Sequence, residues 1–300
     1  MTLPSLDMAT DSAAAAPAAI PVRGYAARVW RQLSRDPVTI ACAVALVLIV
    51  LSALFAPYLA PADPYKTSMI NRLKPFGYRG YLLGTDELGR DLLSRLLYGG
   101  RLSLMMGVAP VIAALLVGGL LGLVAGFVGG AVNTVIMRTV DVFYAFPSVL
   151  LAIAISGSLG AGITNAVLSL TIVFIPPIAR VSESVTTGIR NLDYVAAARA
   201  SGAGAWSVMR AHVLRNVLGP VFVYATSLIS VSIILASGLS FLGLGVEPPN
   251  AEWGLMLNTL RPAIYINPAV AALPGAAILV TSICFNLLTD GLRQAMDVRA

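Results

Sequence analysis

The chain has 300 residues, of which 58% are hydrophobic and only 11% are charged, and its formal net charge is +6. A soluble domain carries about 25% charged residues, so this composition excludes an ordinary soluble protein and indicates an integral membrane protein. We interpret the positive charge as arginines that set membrane topology, and not as a nucleic-acid-binding surface. Cys42 and Cys284 lie in apolar segments without metal-ligand or redox spacing, so a packing role is predicted for both.

The amino-terminal segment, residues 1–36, is predicted to be a disordered cytoplasmic tail. It lacks the basic region and apolar core that mark a cleaved signal peptide. The first apolar run, Val38 to Ala56, is preceded by four arginines: Arg23, Arg28, Arg31 and Arg35. Because basic residues keep their flank of a span in the cytoplasm, the first span is predicted to run from inside to outside.

The next connection, residues 60–101, is predicted to be an external loop that contains an amphipathic helix at the membrane surface. Thr85 can cap this helix, and leucines at positions 88, 92 and 96 form its apolar face. Opposite charges have the i, i+4 spacing at which they attract on one helix face, namely Asp86 with Arg90 and Asp91 with Arg95.

Five further apolar runs complete six predicted spans, so the predicted fold class is an all-α integral membrane protein with six transmembrane helices. These runs are Leu102–Phe127, Val132–Ser156, Ala166–Ala179, Val217–Ser237 and Ala269–Leu288. Pro176 and Pro177 are expected to kink or end the fourth span.

Two charged residues, Arg138 and Asp141, fall inside the third predicted span at i, i+3 spacing. An ionisable pair inside a span indicates a functional site. The alternative is that the two charges neutralise each other near the interface.

A polar-leaning stretch, residues 191–220, separates two strongly apolar blocks. Asp193 can cap a short alanine-rich helix that ends at Ser201 and Gly202, and a second helix is predicted from Ala205 or Trp206. We call residues 193–214 the short-helix element. Arginines around it place the whole loop, residues 182–216, in the cytoplasm.

The segment from Ser240 to Leu257 is too rich in glycine and proline for a regular helix. It is apolar enough to dip into the bilayer from outside if other parts of the protein cover its backbone.

Four stretches resemble motifs of one transporter family, the second (C-type) permease subunits of dipeptide, oligopeptide and nickel ABC importers. LGTDELGRDLLSRLLYGGRLSL and SFLGLGVEPPNAEWGLML match its signatures, and NLLTDGLRQAMDVR is similar to its carboxy-terminal motif except at Thr289, Gln294 and Val298. The short-helix element resembles the family's EAA loop through Ala197, Ala198 and Gly202. Alanine at 196 replaces the usual glutamate, and arginine at 215 replaces a frequent proline.

The resemblance implies a permease subunit with domains at residues 1–36 (tail) and 37–300 (permease). Its implied partners are a sister permease, two ATP-binding subunits, an extracytoplasmic solute-binding protein and the bilayer, without nucleic acid. ATP and Mg would be bound by the partner subunits, because this chain lacks a phosphate-binding loop, and the chain would have no catalytic, metal or cofactor site of its own. The implied location is the bacterial inner membrane with both termini cytoplasmic.

Two groups of candidate site residues follow from these motifs. Those expected to contact an ATP-binding subunit are Asp193, Tyr194, Ala196, Ala197, Ala198, Arg199, Gly202, Trp206 and His212. Those expected to contact the solute-binding protein or gate the outer mouth are Asp86, Arg90, Asp91, Arg95, Glu247 and Trp253.

The implied cargo is a small peptide, and nickel, glutathione or another small solute is the alternative. A secondary transporter would favour internal repeats and more intramembrane charges than this sequence has. An intramembrane enzyme is disfavoured because the single histidine, His212, lies in the predicted cytoplasmic loop.

Overall fold

The computed structural model describes residues 31–296, and every regular element within that range is a helix. Residues 1–30, which include most of the predicted tail, and residues 297–300 lie outside the described range. In chain order the α-helices are α1 (Pro37–Leu54), α2 (Ala56–Leu59), α3 (Leu92–Val128), α4 (Gly130–Tyr144), α5 (Ser148–Leu159), α6 (Ile163–Arg190), α7 (Asp193–Ala200), α8 (Ala205–Val208), α9 (Arg215–Phe241), α10 (Trp253–Thr259) and α11 (Pro268–Met296).

Five helices are long and apolar enough to cross a membrane: α1, α3, α6, α11 and the continuous helix of residues 205–241, in which a π-helical turn, Met209–Leu214, joins α8 to α9. The pair α4 and α5 passes the same test together and is bent by 86°, the geometry of a broken span or of a re-entrant loop. With this pair counted as one span, the predicted all-α fold with six spans is confirmed.

Two of the predicted spans differ from the helices observed. The third is broken between Tyr144 and Ser148, because Pro147 lacks a backbone N–H and disfavours helical geometry at the residue before it. The fourth neither stops at Ala179 nor ends at its prolines, since α6 continues through Pro176 and Pro177 to Arg190. Membrane helices tolerate proline where neighbouring groups satisfy the freed backbone carbonyls.

The helix ends define two opposite faces of the bundle. The long-loop face carries residues 60–91 and the segment after α9. The turn between α5 and α6 lies on the same face, because Gly162 N–H donates to Gly245 O of that segment at 2.9 Å. The short-helix face lies at the other end of α6 and carries α7. Thr39 packs against Gly291 there, so both ends of the described chain reach the short-helix face.

The most extensive helix contact in the bundle is between α3 and α6, and small residues allow the two backbones to approach closely. Gly118, Gly122 and Gly126 recur every fourth residue on α3 and face the backbone of α6. A Cβ atom added at Gly118 would lie 2.7 Å from Ile175 O, and one at Gly126 would lie 2.8 Å from Glu183 O. This spacing is the small-xxx-small pattern that lets membrane helices approach closely.

We expect Gly122→Ala to destabilise the bundle by about 1–3 kcal/mol, because the added methyl would meet α6 backbone that cannot move aside. Its Cβ would lie 2.7 Å from Glu183 N and against Ala179 O. Gly119→Ala is the matched control, since its Cβ would meet only the Leu115 side chain at 3.8 Å. Thermal unfolding of the purified protein in detergent measures the difference. Equal melting temperatures for the two variants would contradict this account of the packing.

Candidate functional site

The short-helix element is a packed unit at the end of the bundle. Val195 of α7 is fully buried together with Val208 and Val213, and these three join the main apolar core. At the rim, Asn216 donates its side-chain amide to the Tyr194 hydroxyl at 2.9 Å. The short helix is therefore anchored to the start of α9 by both apolar and polar contacts.

A glycine turn fixes the angle between the two helices of this element. Gly202 has φ +87°, a left-handed conformation that glycine adopts without strain. Its N–H donates to Arg199 O at 3.0 Å, and Ala203 N–H donates to Ala198 O at 3.2 Å. These two bonds form a Schellman motif, which satisfies the last carbonyls of α7. The predicted break at Gly202 and the predicted helix start at Ala205 agree with the structure.

The predicted cap of this element is wrong in detail. Leu192 occupies the N-cap position and Asp193 is the first helical residue, with no side-chain capping bond. Asp193 remains in the first turn, where a negative charge interacts favourably with the helix dipole. Arg199, at the other end, stacks over the Phe127 ring at 5.5 Å and links α7 to the end of α3.

The outward face of the element combines small apolar side chains with exposed charges, namely Asp193, Arg199 and Arg210. Ala196 and Ala197 are exposed, and Ala198 is half-buried. Trp206 is 70% exposed and lines a shallow cavity of about 330 Å³ with four neighbours: Ser207, Arg210, Ala211 and Arg215. His212 packs near Tyr194, with the ring centroids 6.2 Å apart. The face thus offers small side chains around one exposed aromatic ring, an arrangement that lets another backbone approach closely.

Buried charges organise the long-loop face. The Asp86 carboxylate accepts from Arg90 Nε at 2.6 Å and lies 3.1 Å from Arg95 Nε. All three side chains are at most 5% exposed. The predicted Asp86–Arg90 pair is therefore present, although the residues between them are not helical.

The predicted surface helix starting at Thr85 is wrong. Gly84 and Gly89 have φ +76° and +70°, and Gly89 packs against the Ser68 backbone, so this stretch is an irregular turn. The helix begins at Leu92 and continues into the second span, and Asp91 caps it by accepting from Ser94 N–H at 2.7 Å. Asp91 consequently does not pair with Arg95.

Arg95 connects two distant segments of this face. Its Nη1 donates to Pro64 O at 3.1 Å, and its Nη2 donates to Asn250 O at 3.3 Å. One guanidinium thereby joins the long loop, the first turn of α3 and the segment after α9. We call Asp86, Arg90, Arg95, Ser103 and Glu252 the long-loop cluster.

The sequence-based candidates did not include Ser103 or Glu252 of this cluster, and the more important of the two is Glu252. It is fully buried and caps α10 by accepting from Gly254 N–H at 2.9 Å and Leu255 N–H at 2.8 Å. The Ser103 hydroxyl donates to the same carboxylate at 3.0 Å. Glu247, the acid selected from the sequence, is exposed instead. The available signal was the position of Glu252 directly before the apolar run of α10.

Trp253 anchors α10 against α3. Its indole Nε1–H donates to Leu96 O at 3.0 Å, and its backbone N–H donates to the Ser103 hydroxyl at 3.0 Å. A Cβ added at Gly99 or Gly100 would lie 3.2 or 3.1 Å from the indole ring, so these glycines leave room for it. Trp253 is thus a buried anchor and not an exposed contact residue.

Burial also affects two acids outside the spans. It raises the pKa of Glu252, which the hydrogen bonds from Gly254, Leu255 and Ser103 partly oppose. It likewise raises the pKa of Glu87, and the neighbouring Asp86 charge acts in the same direction. The carboxylates of this face are therefore held by hydrogen bonds and arginines against an unfavourable environment.

The predicted pair of Arg138 and Asp141 does not form. The Asp141 carboxylate instead pairs with Arg180 of α6, which lies 39 residues later in the chain, and both side chains are partly exposed. Arg138 is exposed on α4. This ion pair holds the last turns of α4 against α6, next to the bend of the broken span.

Two cavities adjoin one another along α6 and α9. The first, of about 280 Å³, lies at the bend and has aromatic walls that include Phe143, Tyr144, Phe146 and Phe174. The second, of about 680 Å³, opens toward the short-helix face between α6, α9 and α11. Tyr224 lines both cavities. Within residues 31–296, histidine, cysteine and acidic side chains form no cluster suited to a metal ion.

Two family descriptions match the chain. The inner membrane component of binding-protein-dependent transport systems matches residues 118–300, and the N-terminal transmembrane domain of oligopeptide transport permease C matches residues 24–75. A likeness in fold accompanies them. A chain of the MetNI methionine ABC transporter superposes with a TM-score of 0.56 at 17% identity, covering 67% of this chain and 96% of that one.

Similar curated proteins share most of the chain's length. The di/tripeptide transport system permease protein DppC of Pseudomonas aeruginosa is 43% identical, covering 89% of this chain and 90% of the relative. The glutathione transport system permease protein GsiD of Pectobacterium atrosepticum is 41% identical, covering 89% of both. The probable D,D-dipeptide transport system permease protein DdpC of Escherichia coli is 39% identical, covering 91% of both. The chain therefore belongs to the family of inner membrane permease components of binding-protein-dependent transport systems, in its oligopeptide permease C branch, as the sequence motifs predicted.

Proposed function

We propose that the chain and a sister permease form the membrane pathway of an ATP-driven importer for small peptides. The observation that carries this proposal is 39–43% identity, over about nine tenths of the chain, to permeases of di/tripeptide and D,D-dipeptide systems. The smaller cavity, at the bend between α4 and α5, supports this proposal, because its aromatic walls suit the side chains of short peptides.

The short-helix element would transmit the motion of one ATP-binding subunit to the spans. Its fixed Schellman turn and buried valines make it a rigid body, and its exposed alanines and Trp206 form a compact contact face. Closure of the ATP-binding subunits would move α7 and, through the continuous helix of residues 205–241, the pathway itself. In this arrangement the short-helix face and both chain ends are cytoplasmic, and ATP and Mg are bound by partner subunits and not by this chain.

The buried long-loop cluster would stabilise the surface that the solute-binding protein contacts on the opposite side. Arg95, Glu252 and Trp253 hold the segment after α9 against the start of α3. A displacement of either segment would therefore also move the other. Glu247, which is exposed within the segment after α9, is available for direct contact.

Glutathione is the second candidate cargo. The observation that favours it is the 41% identity to a glutathione permease, which is within a few per cent of the identity to the peptide permeases. Glutathione is itself a tripeptide, with a γ-linked glutamate and two carboxylates, so both candidates demand recognition of a small peptidic anion or zwitterion.

Uptake by the complete complex in proteoliposomes tests the proposal. We expect radiolabelled alanyl-alanine to accumulate only with ATP and Mg on the side of the ATP-binding subunits and with the binding protein on the other. Excess glutathione measures the second candidate by competition. Accumulation driven by a proton or sodium gradient without ATP would contradict the proposal and favour a secondary transporter.

A further inference from the structure

The larger cavity, on the short-helix face, is positively charged. Its lining contains two guanidinium groups, Arg215 of α9 and Arg293 of α11, together with Asn216 and Tyr224, and none of its lining residues is acidic. Gly219 also lines it, and a Cβ there would lie 3.0 Å from the Met296 side chain. Among the described residues, the cavity wall therefore offers several hydrogen-bond donors and no carboxylate to neutralise them.

The charges of this cavity are not used by ion pairs in the described part of the chain. The arginines that pair with acids between residues 31 and 296 are Arg90, Arg95 and Arg180. Arg215 and Arg293 are both exposed at the cavity and belong to none of these pairs. Two guanidiniums in one concave site, without an ion-pair partner among residues 31–296, favour an anionic ligand, which arginine binds through a planar pair of donors.

The sequence at position 215 departs from the pattern that the short-helix element otherwise resembles. Arginine stands there in place of a frequent proline, and α9 begins at this residue, directly after the π-helical turn Met209–Leu214. Turns of this kind occur mostly as single interruptions of α-helices, often at functional sites. Arginine at this position adds a guanidinium to the cavity wall.

The position of the cavity indicates which anion reaches it. Tyr224 forms part of both cavity walls, so the larger cavity lies directly beside the aromatic cavity at the bend. We infer that Arg215 and Arg293 bind the carboxylate of the transported peptide in this second cavity, before its release on the short-helix face. This inference rests on the proposed function, which supplies a cargo with a free carboxylate.

Binding of a dipeptide and its amide to the assembled importer tests the inference. The complex of this chain, its sister permease and the ATP-binding subunits is placed in phosphatidylcholine nanodiscs without the binding protein, and equilibrium dialysis measures alanyl-alanine and alanyl-alanine amide. We expect wild-type complex to bind the acid about tenfold more tightly than the amide. Arg215→Gln and Arg293→Gln should each remove most of this preference, and Arg215→Lys should retain part of it.

Arg35→Gln is the matched control, because it removes an exposed arginine near the start of α1, on the same face but outside the cavity. It should leave the preference unchanged. Arg293 lies outside the short-helix element, so its variant separates cargo binding from any effect on the ATP-binding subunits. Assembly of every variant is checked by size-exclusion chromatography.

Three results would overturn the inference. The first is equal wild-type affinity for acid and amide, or glutamine variants that keep the wild-type preference. The second is arginine-dependent retention of phosphatidylglycerol without an effect on peptide binding, which would assign the site to a lipid phosphate. The third is loss of the arginine dependence in Asp297→Asn, which would assign it to the chain's own carboxylate. Uptake separates failure of this inference from failure of the proposed function. If the wild-type complex accumulates alanyl-alanine while any of these results holds, the inference alone fails. If the wild-type complex accumulates no alanyl-alanine with ATP, the proposed function fails as well.

Discussion

Arg95→Met is expected to abolish uptake and to destabilise the assembled protein by about 3–5 kcal/mol, the effect of breaking a buried ion pair by removing one partner. Arg95 is 2% exposed, and its guanidinium lies 3.1 Å from the Asp86 carboxylate. It also donates to backbone carbonyls of residues 64 and 250, which the methionine would leave without this donor. Methionine has a similar length and no charge, so the loss reports on the polar contacts and not on volume.

Thermal unfolding and peptide uptake of the reconstituted complex measure this effect. Arg261→Met is the control, because Arg261 is exposed near the same face. An exposed substitution of this kind changes stability by at most about 0.5 kcal/mol. An Arg95→Met complex with wild-type melting temperature and uptake would show that the long-loop cluster does not hold the two segments together.

Gly202→Val is expected to reduce uptake and substrate-stimulated ATPase activity at least tenfold without preventing assembly. A β-branched residue at φ +87° adds local strain of about 1–3 kcal/mol. No atom lies within 4 Å of the added Cβ, so the strain acts on the backbone turn alone. This is small beside the burial of six spans, yet it is enough to change the angle of α7, whose outward face must fit a partner.

Two variants control for this change. Gly204→Ala adds a methyl two residues away at φ −63°, also with nothing within 4 Å, and should behave as wild type. Gly202→Asn should retain part of the activity, because asparagine tolerates the left-handed region better than valine. Full uptake and ATPase stimulation in Gly202→Val, at normal subunit levels, would rule out the short-helix element as the coupling device.

Features set by local sequence could be predicted. Apolar run length gave the six spans, and Gly202 with the alanines before it gave the short helix and its turn. The break in the third span also had a local signal in Pro147, which was outweighed by the mostly apolar composition of residues 132–156.

Charge pairing could not be predicted in the same way, because it depends on contacts between distant segments. Asp141 pairs with Arg180 across the bundle and not with its neighbour Arg138. Asp91 has the helical spacing to Arg95, but its carboxylate already accepts from Ser94 N–H as a cap. Local spacing rules assume that both partners lie within one helix, and Asp91 lies just before it.

The central claim is that the short-helix element docks onto an ATP-binding subunit, and photo-crosslinking tests it most directly. A benzophenone amino acid is placed at Ala197, which is exposed on α7, or at Asn250 on the opposite face. In the complete importer we expect residue 197 to form an adduct with an ATP-binding subunit and residue 250 to form none with it. An adduct between residue 250 and an ATP-binding subunit, with none from residue 197, would contradict the account.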